Sequence, residues 1–446
     1  MQKVPLIAGP AARSPIAWRD GKPLAAAQYL ADAGRLAALL PERAHVLNAC
    51  ADRYRFAVGL GAALLRGQVT LLPPNHTPET VRWLREFAAD AYVLADGAQA
   101  AIDLPRVDFP PDAAVAPDAP GIPEIDIEQL CAIVFTSGST GTPVPNRKHW
   151  GALARNARGA LTRWGRVAGQ AAVLGTVPPQ HMYGFESTVL AVLQGGGALC
   201  AERPFYPADV CAALERLPRP RVLVTTPFHL RTLLDDVAQP PAADLLLCAT
   251  APLSAELAQL AEERFAAELL EIYGFTEAGQ IATRRTAREP AWRTLPGVRL
   301  EARDGQAWAS GGHVEQRTAI GDVIEPLAAD RFLLHGRVSD MVNVAGKRSS
   351  LAFLGAQLMA IEGVRDAVFF MPEDEAAGGV TRLAAFVVAP GMRREELLAQ
   401  LRQRIDAAFL PRPLVMLERL PRAASGKLPL EALRELARAH QGGSKD

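Results

Sequence analysis

The densest concentration of chemically capable residues is the run Thr136-Ser-Gly-Ser-Thr-Gly-Thr142, entered from the apolar stretch 131–135 and closed by Pro143. A short continuous apolar run of this kind suits a strand buried on both faces of a sheet. Beyond it, Gly138 and Gly141 permit close backbone approach, while Thr136, Ser137, Ser139, Thr140 and Thr142 set hydroxyls beside backbone N–H groups. Such a loop can cradle a polyphosphate. It is not the common P-loop, which closes on Gly-Lys-Ser/Thr, because Gly141 is followed by Thr142 and Pro143. Taken alone, it is equally well a flexible turn.

Further stretches carry rings, oxygen donors and cations. Tyr273-Gly-Phe-Thr-Glu-Ala-Gly279 follows an apolar run and delivers a ring, a hydroxyl and a carboxylate to one sheet edge. That set suits a magnesium nucleotide, since magnesium favours hard oxygen ligands shared with phosphates. Ala249-Thr-Ala-Pro252 is a run of small side chains. Asp322 follows Gly321, Arg337 follows Gly336, and Pro421-Arg-Ala-Ala-Ser-Gly-Lys427 sets a lysine on a Ser-Gly turn. Singly, these are a core ring, solvated charges and a surface ion pair of little energetic weight.

Taken in their order along the chain, the stretches closely resemble the motifs of the adenylate-forming superfamily, which includes acyl- and aryl-CoA ligases, peptide-synthetase adenylation domains and luciferases. The resemblance covers most of the chain from about His45 to Leu430. It implies ATP, Mg2+ and coenzyme A or phosphopantetheine as cofactors, with residues 136–142 as the phosphate loop. Tyr273, with Gly274 behind it, would lie against adenine, and Ala249, Thr250, Ala251 and Pro252 would cover the other face. Thr276 would contact phosphate, Glu277 would bind magnesium, Asp322 would accept from the ribose hydroxyls, and Arg337 would support ribose or phosphate. Lys427 would be the mobile catalytic cation. An ammonium about 4 Å from a developing charge contributes on the order of 4 kcal/mol at an effective dielectric near 20, or ~10²–10³ in rate.

Three departures from the family pattern matter. The family hinge falls two residues after the arginine, usually on an acidic residue; here that position is Ser339, with Asp340 next. Where the family places a lysine after the loop proline, this chain has Val144. Either Arg147 or Lys148 substitutes from another angle, or pyrophosphate is held less tightly. The stretch between Glu277 and Arg337 is also short, so part of the family's β-barrel subdomain is expected to be missing.

For the acid, His181-Met-Tyr-Gly-Phe-Glu186 matches the family's acid-pocket segment. His181, Tyr183 and Phe185 would stack on a planar acid and Gly184 would leave space, unless alternate residues simply pack inward. PPQHMYGFE, the compact body and Val144 look like the stand-alone ligases of aryl polyene and xanthomonadin-type pathways. The expected activity is an ATP-dependent acid–thiol ligase that adenylates an aryl acid such as a hydroxybenzoate and passes it to coenzyme A or a carrier protein. The alternatives are a short- or medium-chain fatty acid as substrate, or a nucleotide-binding interaction protein that has lost catalysis.

The elements that must position these residues read as repeating strand–helix units from His45 onward. Strands are expected at 45–48, 69–72, 92–95, 171–177, 198–201, 221–225, 245–249 and 269–272. Helices are expected at 24–40, 54–65, 78–88, 150–164, 207–217, 229–236 and 255–265, with a connecting loop at 105–123. The fold class is α/β: a large adenylating domain of doubly wound sheets with a small β subdomain, residues 1–338, then a small mobile α+β domain, residues 339–446. In the latter, helices are expected at 352–361, 394–409 and from 430.

The 446 residues carry 48 basic and 48 acidic side chains, so no nucleic-acid footprint or polybasic membrane arm stands out. No signal peptide and no apolar run of roughly 18 residues is found. The five cysteines lack CxxC spacing and read as reduced thiols. The expectation is a cytoplasmic protein whose partners are a small carboxylic acid and, where the acceptor is a phosphopantetheine arm rather than coenzyme A, an acyl carrier protein, with no nucleic acid and no integral membrane association.

Overall fold

The computed structural model describes residues 2–9, 14–97, 102–111, 121–137, 143–303, 306–337, 341–344, 347–372, 383–423 and 428–441. Strands His45–Asn48, Val69–Leu72, Tyr92–Ala95 and Leu130–Ser137 lie parallel in a six-stranded sheet that Arg106–Asp108 and the antiparallel Pro143–His149 complete. Val69–Leu72 and Tyr92–Ala95 are buried at every position, which explains why they are continuously apolar rather than alternating. A second sheet has eleven strands. Its parallel centre runs through Pro15–Arg19, Ala198–Cys200, Ala172–Gly175, Arg221–Thr225, Leu245–Cys248 and Glu268–Phe275. Antiparallel strands Gly279–Arg284, Trp292–Thr294, Arg331–Arg337 and Asp322–Ala328 extend one edge.

Helix Arg53–Leu65 shares one core with both sheets, and nearly all of it is buried. That is the fate of a helix apolar all round. Asp52 caps it by accepting from the Arg55 N–H, and Ser254 caps Ala255–Phe265 in the same way.

Most units follow the expected spacing, with informative exceptions. The segment 105–123 contains the short strand Arg106–Asp108, and Pro15–Arg19 and Lys22–Ala25 form a hairpin ahead of helix Ala26–Leu39. The helix expected over 394–409 ends at Leu401; Asp406 then accepts from the Ala408 N–H at 3.0 Å and starts a separate turn. Between Glu277 and Arg337 stand the hairpin partner strands named above and a three-stranded sheet of Arg299–Arg303, Gln306–Gly311 and Val314–Ile320. Trp292, Phe332, Ile281 and Ile320 fill the core of this β region.

The small C-terminal domain pairs Asp366–Phe370, Ala384–Val388 and Leu414–Met416 in one sheet. Its middle strand obeys the two-residue period: Ala385 and Val387 face a core with helices Leu351–Met359 and Arg394–Leu401, while Ala384, Phe386 and Val388 face helix Leu430–Gln441. Arg422 grips Asp366 through two hydrogen bonds of 2.7 and 2.6 Å. The expected boundary at 338 and 339 and the hinge residues Ser339 and Asp340 lie outside the described residues. No described helix is long and apolar enough to cross a membrane.

Candidate active site

The strand C-termini of the large domain open on a cleft of about 3030 Å³ whose other wall is the small domain. That is larger than the several hundred Å³ of an ordinary ligand pocket and has the scale of an interdomain site. Thr136, the segment 249–252, Tyr273, Gly274, Thr276, Glu277 and Asp322 line it, as do His181, Tyr183 and Gly184. From the small domain come Ala352, Phe353, Arg422 and Leu428. Residues expected to share one ATP molecule therefore face one cavity, at the place where open α/β sheets bind ligands.

The phosphate segment is a strand-to-strand connection. Ser137 pairs with Pro143 and Thr136 with Val144, so residues 138–142 join two antiparallel strands rather than a strand and a helix. Gly138, Ser139, Thr140, Gly141 and Thr142 themselves lie outside the described residues, as does Lys427.

Tyr273 is fixed from two directions. Its ring packs on Trp292 and Phe332 at 5.6 and 5.8 Å, and its hydroxyl donates to the Asp322 carboxylate at 2.6 Å. Arg337 pairs by backbone directly opposite Asp322. Gly274 has no room for a side chain, since a Cβ would fall 2.4 Å from the Gly279 carbonyl oxygen. Thr250 stands at φ +83°, a left-handed conformation costly for a β-branched residue, and its buried hydroxyl has no hydrogen-bond partner among the described residues. Strain and an orphaned hydroxyl at the rim of a cleft are features that a bound ligand can compensate.

The acid-pocket segment is helical, which corrects one expectation. Successive helical residues turn by about 100°, so Phe185 points roughly opposite to Tyr183 rather than alongside it. Phe185 is fully buried and packs edge-on against Phe56 at 6.2 Å, in the core and not in the cleft. Gly184 does line the cleft, but it leaves no free space there, because a Cβ on it would fall 2.1 Å from the Pro178 carbonyl oxygen. The Tyr183 hydroxyl lies 3.0 and 2.9 Å from the Thr225 and Leu247 carbonyl oxygens, which anchors the ring at the strand ends. Burial raises its pKa well above the usual phenol range.

Lys148 is buried and donates from Nζ to the Glu277 carbonyl oxygen at 2.8 Å, while Arg147 is exposed on the other face of the strand. Burial lowers the Lys148 pKa and raises that of Glu186, and their mutual attraction opposes both shifts.

Comparison with known proteins decides the family. The model of the AMP-binding enzymes matches residues 13–304, and that of the AMP-binding enzyme C-terminal domain matches residues 356–427. The chain belongs to the AMP-binding enzymes. A 4-coumarate–CoA ligase of Rhodobacter capsulatus is 30% identical over 283 residues, covering 63% of this chain and 69% of that protein. A feruloyl-CoA synthase of Amycolatopsis is 27% identical over 398 residues, covering 79% and 76%. Among solved structures, the o-succinylbenzoate CoA synthetase of Bacillus subtilis with its acyl-adenylate superposes with a TM-score of 0.80 at 18% identity, covering 100% of this chain and 99% of that one. ATP-bound MatB from Rhodopseudomonas palustris gives 0.80 at 19% identity, covering 96% of each. This AMP-binding enzyme thus has the superfamily's fold over its whole length.

Several residues that shape the site escaped sequence reasoning. Arg53 is fully buried and donates to four backbone carbonyls, of Cys200, Glu202, Gly175 and Val177, at 2.8 to 2.9 Å. It ties together the ends of two strands just before the acid-pocket segment. His229 lines the cleft between Phe205 and Phe228, with Nδ1 2.9 Å from the Thr176 hydroxyl. Burial lowers its pKa to about 4, with Arg203 adding to the effect. Isolated arginines and histidines in helical stretches carry no sequence signal for such roles.

Proposed function

We propose that this AMP-binding enzyme is an ATP-dependent acid–thiol ligase that adenylates a planar aryl acid and transfers the acyl group to coenzyme A or the phosphopantetheine arm of a carrier protein. The observation that carries this reading is the single cleft shared by the Thr136 rim, the 249–252 segment, Tyr273 with Asp322, and the Tyr183 and His229 wall. A flat substrate suits that wall, because Tyr183 is anchored by its hydroxyl and His229 is held by Thr176 between two phenylalanines. The 4-coumarate and feruloyl names of relatives support an aryl acid.

The chain's own groups suit the reaction. The acid's carboxylate attacks the α-phosphorus of ATP, the bond to pyrophosphate breaks, and an acyl-adenylate remains; a thiol then displaces AMP. Tyr273 and Asp322 would orient the nucleoside, Ala249, Thr250, Ala251 and Pro252 would cover the base, and Arg337 would meet ribose or phosphate. Loop N–H groups at 136–142 and the Thr276 hydroxyl would receive phosphate charge. Lys427 would neutralise the approaching carboxylate, with Ser339 and Asp340 as the hinge that brings it in and out.

Magnesium fits this donor set. Glu277 offers an exposed carboxylate beside the Thr276 hydroxyl, and no group of three or more His, Cys, Asp or Glu among the described residues could hold a metal by itself. A cation sharing one carboxylate with substrate phosphates is magnesium's habit. When bound it would offset charge on the pyrophosphate oxygens.

The test is ATP–pyrophosphate exchange with a panel of hydroxybenzoates, cinnamates and short to medium alkyl acids, followed by acyl transfer to coenzyme A and to carrier protein. Exchange restricted to aryl acids is expected. Exchange with alkyl acids alone would move the substrate class to fatty acids, and ATP binding without exchange would reduce the protein to a binding module.

A further inference from the structure

We infer that Lys148 and Glu186 brace the turn carrying Thr276 and Glu277, so that Lys148 is a positioning residue for the Glu277 carboxylate and not a ligand of the leaving pyrophosphate. The inference rests on the ligase reading above and assigns the part of it that Val144 leaves open.

The geometry begins in the strand Pro143–His149. Val144 and Lys148 lie on the same face of it, but four residues at ~3.3 Å each set their Cα atoms about 13 Å apart. Val144 pairs with Thr136 at the loop and is 48% exposed; Lys148 pairs with Ala132, deep in the sheet, and is 6% exposed. Its Nζ is already committed to the Glu277 carbonyl oxygen at 2.8 Å. An ammonium buried there requires a counter-charge, and buried Glu186 supplies the largest attraction, with Glu277 and Glu315 adding to it.

Glu186 grips the same turn from its other end. Glu186 packs beneath Gly279, and its neighbour Ser187 accepts a hydrogen bond from the Gln280 side chain at 3.0 Å. Gly279, at φ +81°, makes this approach possible: a Cβ there would lie 2.6 Å from Glu186 Oε1 and 2.5 Å from Asn156 Nδ2. Glu186 Oε1 and Asn156 Oδ1 are buried without a hydrogen-bond partner among the described residues, so the pocket beneath the turn is kept polar at a cost in stability. A polar pocket retained at such cost next to a metal-binding turn points to function. The acid-pocket helix that carries Tyr183 also carries Glu186, so the brace joins the acid wall to the turn.

Equilibrium binding of ATP with and without Mg2+, together with thermal melting, tests this on the full chain. In K148M, Mg-ATP affinity is expected to fall about tenfold, the worth of a charge-assisted hydrogen bond, while metal-free ATP binding stays within about twofold. K148M/E186L removes both buried charges and is expected to regain the melting temperature of the parent but not its Mg2+ enhancement. Recovery of both in the double variant would reduce the pair to mutual neutralisation and overturn the inference. So would a loss in K148M that is equal with and without Mg2+ and accompanied by weakened pyrophosphate binding. If the parent protein binds no nucleotide, the ligase reading itself fails first.

Discussion

Tyr273 and Asp322 carry more than their assigned contacts. The tyrosine hydroxyl spends its proton on the carboxylate that would face the ribose, so it orients the acceptor as well as presenting a ring to the base. In Y273F the ring packing on Trp292 and Phe332 survives. Nucleotide affinity is expected to weaken about 3- to 10-fold, the range of one hydrogen bond to a charged group, with the melting temperature nearly unchanged; calorimetric titration checks it. His229 gives a pH prediction. Its folded pKa of about 4 lies below the ordinary 6.5, so between those values the unfolded chain binds a proton that the folded one refuses. Stability should rise with pH across that window, and the cost on the acid side approaches roughly 3 kcal/mol. Urea midpoints at pH 7 and 4.5 should differ less in H229N than in the parent, which isolates this group from the carboxylates that titrate nearby.

Helix geometry rather than residue type decides which members of the acid-pocket segment face the substrate. His181, Tyr183 and Gly184 border the cleft, and Phe185 joins the core. Gly184 holds its helix against the carbonyl of Pro178. G184A must push the two apart, because a backbone oxygen cannot move as a side chain can. The KM for the acid is therefore expected to rise at least tenfold while the KM for ATP moves little, which steady-state exchange kinetics would reveal. Arg53 acts one level down, joining strand ends by four carbonyl contacts. R53M would leave those carbonyls buried and unpaired; a loss of roughly 2–4 kcal/mol in urea unfolding is expected, along with weaker acid binding.

At the scale of the whole molecule, two domains with separate cores share one cleft. The small domain's contribution to chemistry would be Lys427, in an arrangement where a mobile domain brings a cation to the reaction and removes it. K427A should lower exchange by ~10²–10³, the worth of one ammonium at about 4 Å. The melting temperature should stay within a degree or two, the expectation for a lysine that follows Ser-Gly in the sequence and acts in chemistry rather than packing. A matching fall in stability would show that the residue supports the domain instead.

The sequence by itself determined the order of strand–helix units, the family, and the segments around Thr136, 249–252, Tyr273 to Glu277 and Asp322 that line the cleft. Those signals are local: apolar runs for strands buried on both faces, caps such as Ser254, and motifs whose chemistry needs adjacent residues. Its limits were equally physical. Whether Phe185 faced acid or core depended on a helical turn of about 200° between positions 183 and 185, and a short aromatic segment does not announce its period. Whether Lys148 could replace the lysine absent at Val144 depended on which strand paired with Pro143–His149 and how deep that register carried the side chain. Only the tertiary structure decided that Lys148 meets the carbonyl of Glu277, because residues 129 positions apart come together through sheet packing and not through any pattern along the chain.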